Sequence, residues 1–560
     1  MGKPLILIVR DGWGIGDPND EHNAVAKAKT PVIDRLLAEY PHTRLLAMGP
    51  AVGLVPGAQG SSEVGHLNLG AGRVVEQEQV RINKMIDSGS FFQDPKLLDM
   101  MAHVRDNDSA LHIMGLVQDQ GVHALDAHAY ALLKLAAQNG LEKVFVHAFT
   151  DGRDTAPRSA KTYLANLEKV MADEGAGRVA SVVGRYYAMD RDNNWERVQK
   201  AYDLITQGKA DHTATNAQVA IDEAYARADA AIQAAKDAGE DPPSIVEIDE
   251  FIEPTMIVPE GEQPAFIRDG DGVVFFNYRQ DRAIQLTKAF VEDDFNGFKR
   301  EARPKVKFLG LTRYYDDFEF YVVPPMNMHK LLGEVLAEAG LWQLRISETQ
   351  KFAHVTSFFN GKAQEPFPGE ERILIDSYKV PENEKPRMRA DKIAEIAEIA
   401  IRDGIAAARK ATEPEGDVHL YAQHGFDEDD ARLSDTYDVF IMNFVNGDMV
   451  GHTGVFDAVV AGVEAVDDGV GRVVDAALAR GGIALVTADH GNADEMLDHA
   501  TGKVKTSHTL NPVEFILVSD AHKHVKMREG ALGNVAPTML QLLGLPQPAE
   551  MTSESLIESE

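Results

Sequence analysis

Short apolar runs recur along the chain, and each is followed by a polar or glycine-rich turn. They are LILIVRDG (5–12), LHIMGLVQD (111–119), VFVHAFTDGRD (144–154), VASVVGRYY (179–187), VVFFNYRQD (273–281), VKFLGLTRY (306–314), VFIMNFVNGD (439–448) and IALVTADHG (483–491). Brief continuous apolar runs bounded by turn residues predict buried strands. Helical patterns alternate with them. TPVIDRLLAEY (30–40) predicts a helix with Thr30 as N-cap and Pro31 in its first position. HKLLGEVLAEAG (329–340) closes on a glycine, and ADKIAEIAEIAIRDG (390–404) spaces Ile393, Ile396 and Ile401 along one face. The alanine-rich stretch 216–240 reads as a surface helix stopped by AGEDPPS. Strands alternating with helices predict an α/β fold with mainly parallel sheets. Functional residues in such sheets gather beyond the carboxyl ends of the strands. Segment 378–436, with EPEGD and DEDDARLSD, reads as a helix with exposed loops inserted into this pattern. No internal repeat is present.

Composition sharpens this picture. At 560 residues the chain is too long for one core, so two domains are expected, and 44% hydrophobic residues suffice to fill them. The net charge of −32 argues against nucleic-acid or anionic-membrane partners while leaving room for a small anionic substrate. Cysteine is absent, which excludes disulfides and thiolate metal sites. The first apolar run is too short for a signal peptide or a membrane span, and Ile6 does not fit a myristoylation signal, so a cytoplasmic enzyme is expected.

The tails of the apolar runs carry the chemistry. Asp11, Asp448, His452, Asp489 and His490 follow three of them, and His508 precedes the apolar run VEFILV. Asp448 and His452 are four apart, so one helical turn brings them to the same side. Taken singly, each is more simply a cap, a turn or a surface residue; the set predicts a metal centre. Carboxylate with imidazole suits Mn²⁺ or Zn²⁺, and the lack of thiolates favours the harder ion. Two such ions clamp the attacking and leaving oxygens of a phosphoryl transfer. A second set, Arg153 and Asp154, Arg185 and Arg191, Arg279 and Arg282, also follows apolar runs. Guanidinium forks hold carboxylate and phosphate bidentately, so this set predicts an anion clamp to which His123 and Lys351 add donors. A substrate bearing both a phosphate and a carboxylate would suit it. In GAQGSSEVGHLNLGAGR (57–73), the residues alone leave a flexible loop, a phosphate cradle and a nucleophile seat all open.

Taken together, SSEVGHLNLGAGR, TDGRDT, GRYYAMDRDNNWERV, NYRQDRAIQL, SETQKFAHVTSFFNG, NGDMVGHTG, TADHGNAD and SHTLNPV resemble the cofactor-independent phosphoglycerate mutases of the alkaline phosphatase superfamily. The resemblance runs from Asp11 to about Pro546, with 378–436 matching poorly. It implies an alkaline-phosphatase-like doubly wound sheet domain, 1–77 with 326–560, split by an inserted α/β transferase domain, 78–325, with substrate between them. It implies one Mn²⁺ on Asp448, His452 and His508, and another on Asp11, Ser62, Asp489 and His490. It assigns substrate binding to His123, Arg153, Asp154, Arg185, Arg191, Arg279, Arg282 and Lys351. The implied reaction interconverts 3- and 2-phosphoglycerate, in glycolysis and gluconeogenesis, without 2,3-bisphosphoglycerate. Ser62, directly before Glu63, would carry a phosphoserine. Asp154, kept ionised by the adjacent clamp arginine, would transfer protons at the glycerate hydroxyls. Lys351 would stabilise the phosphoryl oxygens. A monomer is implied. The alternatives are a phosphopentomutase or phosphatase of the superfamily, or a non-catalytic metal-binding homologue. The sequence departs from the family pattern at Ser61, where asparagine is frequent, at Gln280, where proline is common, in DQGVHALDAH around His123, and in the long acidic segment 378–436.

Overall fold

The computed structural model describes residues 3–243, 246, 248–326, 328–412, 416–422 and 435–558. The chain divides into two compact units, Met1–Gln77 with Asn327–Glu560, and Glu78–Met326. The second boundary thus falls after Met326, just past the proline pair that ends the short strand Tyr321–Val323.

In the first unit nine strands form one sheet, in the order Val418–Ala422, Glu370–Ile375, Gln343–Glu348, Val439–Phe444, Leu5–Arg10, Ile483–Thr487, Val513–Val518, His42–Leu46 and Gly530–Ala531. Leu5–Arg10 lies at its centre, paired in parallel with Val439–Phe444 and Ile483–Thr487. All six of its residues are buried, as a strand covered on both faces requires. Val513–Val518 runs antiparallel to Ile483–Thr487, so the residues before it lie at the same sheet edge as those after the parallel strands. His42–Leu46 alternates exposed and buried positions, a weak signal inside the polar stretch HTRLL.

Ile393, Ile396 and Ile401 are all buried on the helix Ala390–Asp403. The described part of 378–436 is not a surface insertion. That helix packs into the first core, and Val418–Ala422 pairs antiparallel with Glu370–Ile375 at the sheet edge. Its charged residues face outward from an element whose apolar stripe is fully used. Most of EPEGD and DEDDARLSD lies outside the described residues. Thr30 precedes the helix Pro31–Glu39 but makes no side-chain cap. The Asp467 carboxylate accepts from Val32 N at 3.0 Å and Ile33 N at 2.9 Å instead, a cap supplied from a distant helix that no local pattern reveals.

The second unit holds an eight-stranded sheet in the order Tyr321–Val323, Lys307–Thr312, Gly272–Phe275, Leu111–Leu116, Val144–Thr150, Arg178–Gly184, Thr255–Ile257 and His212–Ala214. The first six strands are mutually parallel. The alanine-rich stretch forms the helix Ala217–Ala238, capped by Asn216 and closed by Gly239, with one face of its first turns buried through Ala220, Ile221, Ala224 and Ala228. Among the described residues no helix is long and apolar enough to cross a membrane.

Candidate active site

In the first unit the functional side chains converge at the carboxyl edge of the sheet. Asp11 follows Leu5–Arg10, Asp448 and His452 follow Val439–Phe444, Asp489 and His490 follow Ile483–Thr487, and Lys351 follows Gln343–Glu348. His508 reaches the same edge because it precedes the antiparallel strand. Close backbone approach makes the convergence possible: a Cβ on Gly12, which has φ +75°, would lie 2.5 Å from Asp448 N.

The serine-rich stretch is not a loop. Ser62–Ala71 is a helix, with nine of its ten residues buried. Ser61 is its N-cap, accepting from Val64 N at 3.4 Å, and Gly72 ends it in the left-handed conformation. This places Ser62 in the first turn, at the positive end of the helix, where an anion is favoured. Gly65 lets the helix lie against Asp489; a Cβ there would meet Asp489 Cβ at 2.8 Å.

The Ser62 hydroxyl sits 2.8 Å from His490 Nε2 and 3.3 Å from Asp11 Oδ1, and Lys351 Nζ donates to its Oγ at 2.5 Å. Lys351 also reaches Asp448 Oδ2 at 2.5 Å and Asp11 Oδ1 at 3.0 Å. Asp448 Oδ1 lies 3.0 Å from His508 Nε2 and 3.2 Å from His452 Nε2. Burial works against the Lys351 ammonium, but Asp11, Asp448 and Asp489 outweigh it and push its pKa above the ordinary value. Burial likewise opposes the charge on Asp448, yet Lys351, His452 and His508 hold its carboxyl well below the usual range.

These residues fit a divalent cation. The Nδ1 atoms of His452 and His508 face the carbonyl oxygens of Thr506 and Gly60 at 2.7 Å each. With Nδ1 donating there, each Nε2 is the nitrogen turned toward Asp448, and release of its proton to a bound cation would give the arrangement of a metal-ligating imidazole. Both carboxylate oxygens of fully buried Asp489 lack a hydrogen-bond partner, an expensive state that a cation would relieve. Ligand atoms of Asp448, His452 and His508 come within 4.8 Å of one another, as do those of Asp11, Asp448 and His490.

The second unit has its own cluster, again at the carboxyl edge of a parallel sheet. His123 follows Leu111–Leu116, Arg153 and Asp154 follow Val144–Thr150, Arg185 and Arg191 follow Arg178–Gly184, and Arg279 and Arg282 follow Gly272–Phe275. Arg185 is buried and donates from one nitrogen to Asp151 at 2.7 Å and Asp154 at 2.5 Å. The arginine beside Asp154 is therefore Arg185 rather than its sequence neighbour Arg153, whose Nη1 lies 3.4 Å from Glu250. Asp281 accepts from Arg191 at 2.7 Å and lies 3.2 Å from Arg279 Nε and 3.6 Å from His123 Nδ1. Burial, then the Arg185 charge, lowers His123 to about 4. Burial and then Arg185, Arg191 and Arg153 lower Arg282. Crowded like charges of this kind favour an anion. Lys351 lies in the carboxylate centre of the first unit.

Sequence reading missed several participants. His66 and Asn443 were inside quoted motifs, but a polar residue within an apolar run looks like a core position. Asn492 donates to Asp448 Oδ1 at 3.0 Å from within TADHGNAD. Asp151 and Asp281 lie within two residues of predicted ones, and only their contacts reveal that they hold the arginines.

The chain matches the family model of the BPG-independent PGAM N-terminus over residues 82–316 and that of the metalloenzyme superfamily over 423–547. It is 45% identical to 2,3-bisphosphoglycerate-independent phosphoglycerate mutase 1 of Methanosarcina acetivorans, over 100% of this chain and 99% of that protein. It is 46% identical to the 2,3-bisphosphoglycerate-independent phosphoglycerate mutase of Thiobacillus denitrificans, over 100% and 99%. Among solved structures it resembles Leishmania mexicana phosphoglycerate mutase, determined at low cobalt concentration, with a TM-score of 0.66, 34% identity, and coverage of 100% of this chain and 98% of that one.

Proposed function

The chain belongs to the 2,3-bisphosphoglycerate-independent phosphoglycerate mutase family, and we propose that it is an isomerase interconverting 3-phosphoglycerate and 2-phosphoglycerate through phosphoserine 62. The observation that carries this reading is the Ser62 hydroxyl, held at a helix N-terminus within reach of an ammonium donor and two candidate metal-ligand atoms, His490 Nε2 and Asp11 Oδ1.

Lys351 donates to Oγ and stabilises the negative charge that develops there as the Ser62 proton is lost to solvent, while His490 Nε2 and Asp11 Oδ1, 2.8 and 3.3 Å from the hydroxyl, are placed to hold a metal beside it. Oγ attacks phosphorus, the bond from phosphorus to the glycerate oxygen breaks, and that oxygen takes a proton. In the return step the other glycerate hydroxyl gives up its proton, attacks the phosphoserine, and the P–Oγ bond breaks. Asp154, held by Arg185, is assigned these two proton transfers. Arg153, Arg185, Arg191, Arg279, Arg282 and His123 are assigned the substrate's anionic groups. We assign two Mn²⁺ ions, one to Asp448, His452 and His508 and the other to Asp11, Ser62, Asp489 and His490. Bound there, they would lower the hydroxyl pKa and neutralise the phosphoryl oxygens. Met1–Gln77 with Asn327–Glu560 is thus the metal-bearing unit and Glu78–Met326 the substrate-recognising one. The protein would act as a cytoplasmic monomer in glycolysis and gluconeogenesis.

Ser62→Ala is expected to abolish mutase activity measured without 2,3-bisphosphoglycerate, whereas Ser61→Ala, which removes only a helix cap, keeps it. Surviving activity in Ser62→Ala sinks the reading. Metal-stripped protein should regain activity with Mn²⁺, with Zn²⁺, Co²⁺ and Mg²⁺ as comparisons.

A further inference from the structure

His66 is fully buried, one helical turn beyond Ser62, and no step above uses it. Its Nδ1 lies 2.9 Å from the carbonyl oxygen of Ser62. Its Nε2 lies 3.1 Å from Asn443 Nδ2, and the same amide nitrogen donates to Asp11 Oδ2 at 2.7 Å. These contacts fix every proton in the chain. A carboxylate accepts only, so the Asn443 nitrogen, not its oxygen, must face Asp11. That nitrogen's second hydrogen then points to His66 Nε2, which must accept. The imidazole proton is therefore on Nδ1, donated to Ser62 O. Asp489 Oδ2, 3.3 Å from Nδ1, lies beside that bond and gains only electrostatic benefit.

We propose that His66 and Asn443 are positioning residues that set the nucleophile's helix in register with Asp11. The link spans three elements: the helix Ser62–Ala71, the strand Val439–Phe444 and the tail of Leu5–Arg10. Asn443 is itself in register with Val9, two residues before Asp11. The ring edge of His354, with centroids 5.5 Å apart, packs against His66 and limits its rotation. Asp11, His66 and Asp489 bring ligand atoms within 4.8 Å of one another and so mimic a third metal group. Both nitrogens of His66 are already engaged, which assigns the ring to alignment rather than ligation. A displacement of about 1 Å between nucleophile and reacting centre is enough to cost on the order of 100-fold in rate. Partners of this kind around a metal centre are worth about 10–100-fold.

The inference rests on the proposed phosphoserine mechanism, and one set of measurements separates the two. Wild-type protein is quenched during turnover and phosphate on Ser62 is quantified; its absence sinks the mechanism itself. With phosphoserine present, His66→Gln, His66→Asn and Asn443→Ala are compared in Mn²⁺-loaded protein. Each is expected to lower kcat and the rate of Ser62 phosphorylation together by about 10–100-fold, with KM changed less than about twofold and metal content unchanged. The double variant His66→Gln/Asn443→Ala should be no slower than the slower single variant, because one link is cut in each. Asn443→Ser carries the test if the His66 variants do not fold. Folded variants with wild-type kcat overturn the inference, as do multiplicative losses in the double variant. Restoration of kcat by raised Mn²⁺ also overturns it, since that would make His66 a ligand.

Discussion

The two sheets put their charged residues at the same edge but hold them differently. Around Ser62 the ammonium and the carboxylates are buried, with only the rim residue His452 exposed among the described ligand candidates: Lys351, Asp11, Asp448 and Asp489 are each at most 3% exposed, and Lys351 ties Asp11 to Asp448. Among the described clamp arginines of the second unit only Arg185 is buried; the side chains of Arg153, Arg279 and Arg191 are 55%, 51% and 44% exposed and rest on single carboxylates. Buried charges interact strongly and cannot reorganise cheaply, which suits stabilisation of a transition state. Exposed arginines on mobile stems are screened by solvent and salt, which suits capture and reorientation of an anion.

The sharpest way to break this contrast is Lys351→Met. It keeps the stem and removes the one ammonium shared by Ser62, Asp11 and Asp448. Steady-state assay should show kcat lowered by about 10²–10³-fold, with KM for phosphoglycerate little changed. A large KM effect with intact kcat would place Lys351 with the recognition residues. Arg191→Ala is the counterpart. Its guanidinium is half exposed and tied to Asp281, so KM should rise about tenfold while kcat holds. The difference from wild type should shrink as ionic strength rises, and a kcat loss as large as that of Lys351→Met would erase the distinction.

The parallel strands were legible because each was a continuous apolar run with a chemically loaded tail, and the tails named Asp11, Asp448, Asp489 and the arginines. What was not legible depends on distance in sequence. Strand His42–Leu46 has no apolar run, and Glu370–Ile375 begins with two glutamates that are buried because partners hold them, Arg372 and Asn360 on Glu370 and Arg409 and Tyr437 on Glu371. The cap on Pro31–Glu39 comes from Asp467. The stretch around Ser62 hid a buried helix because its internal residues Gly65, His66, Asn68 and Gly70 lower helix propensity. Packing against Asp489 and the bonds from His66 and Asn68 override that preference.

If burial rather than the unit decides how charge is held, a buried polar network in the second unit should be as rigid as the Ser62 centre, and there is one. Asp271 Oδ2, His112, His147 and Ser181 form a chain across neighbouring strands, with contacts of 3.2, 3.0 and 2.8 Å. Asp271 accepts from His112 Nε2, His112 Nδ1 accepts from His147 Nε2, and His147 Nδ1 accepts from the Ser181 hydroxyl. Both rings are thereby neutral, and no ring nitrogen is left to take a proton without breaking a bond. Burial, followed by Arg268 acting against the pull of Asp271, keeps His112 below the ordinary histidine value. Burial, then His112 and Arg178, keep His147 well below it. The sign follows: below the unfolded value of about 6.5 the unfolded chain takes up protons that the native rings refuse, so stability is full above that pH and falls beneath it. Asp271, also held below its ordinary value against burial by His112, keeps its contribution throughout this range. Thermal melting of the wild-type protein should therefore drop by a few degrees between pH 7 and pH 5. His147→Gln should start from a lower melting temperature at pH 7 and lose less on acidification. Equal acid slopes in the two proteins would show that the rings take protons in the native state, and that this network yields where the Ser62 centre does not.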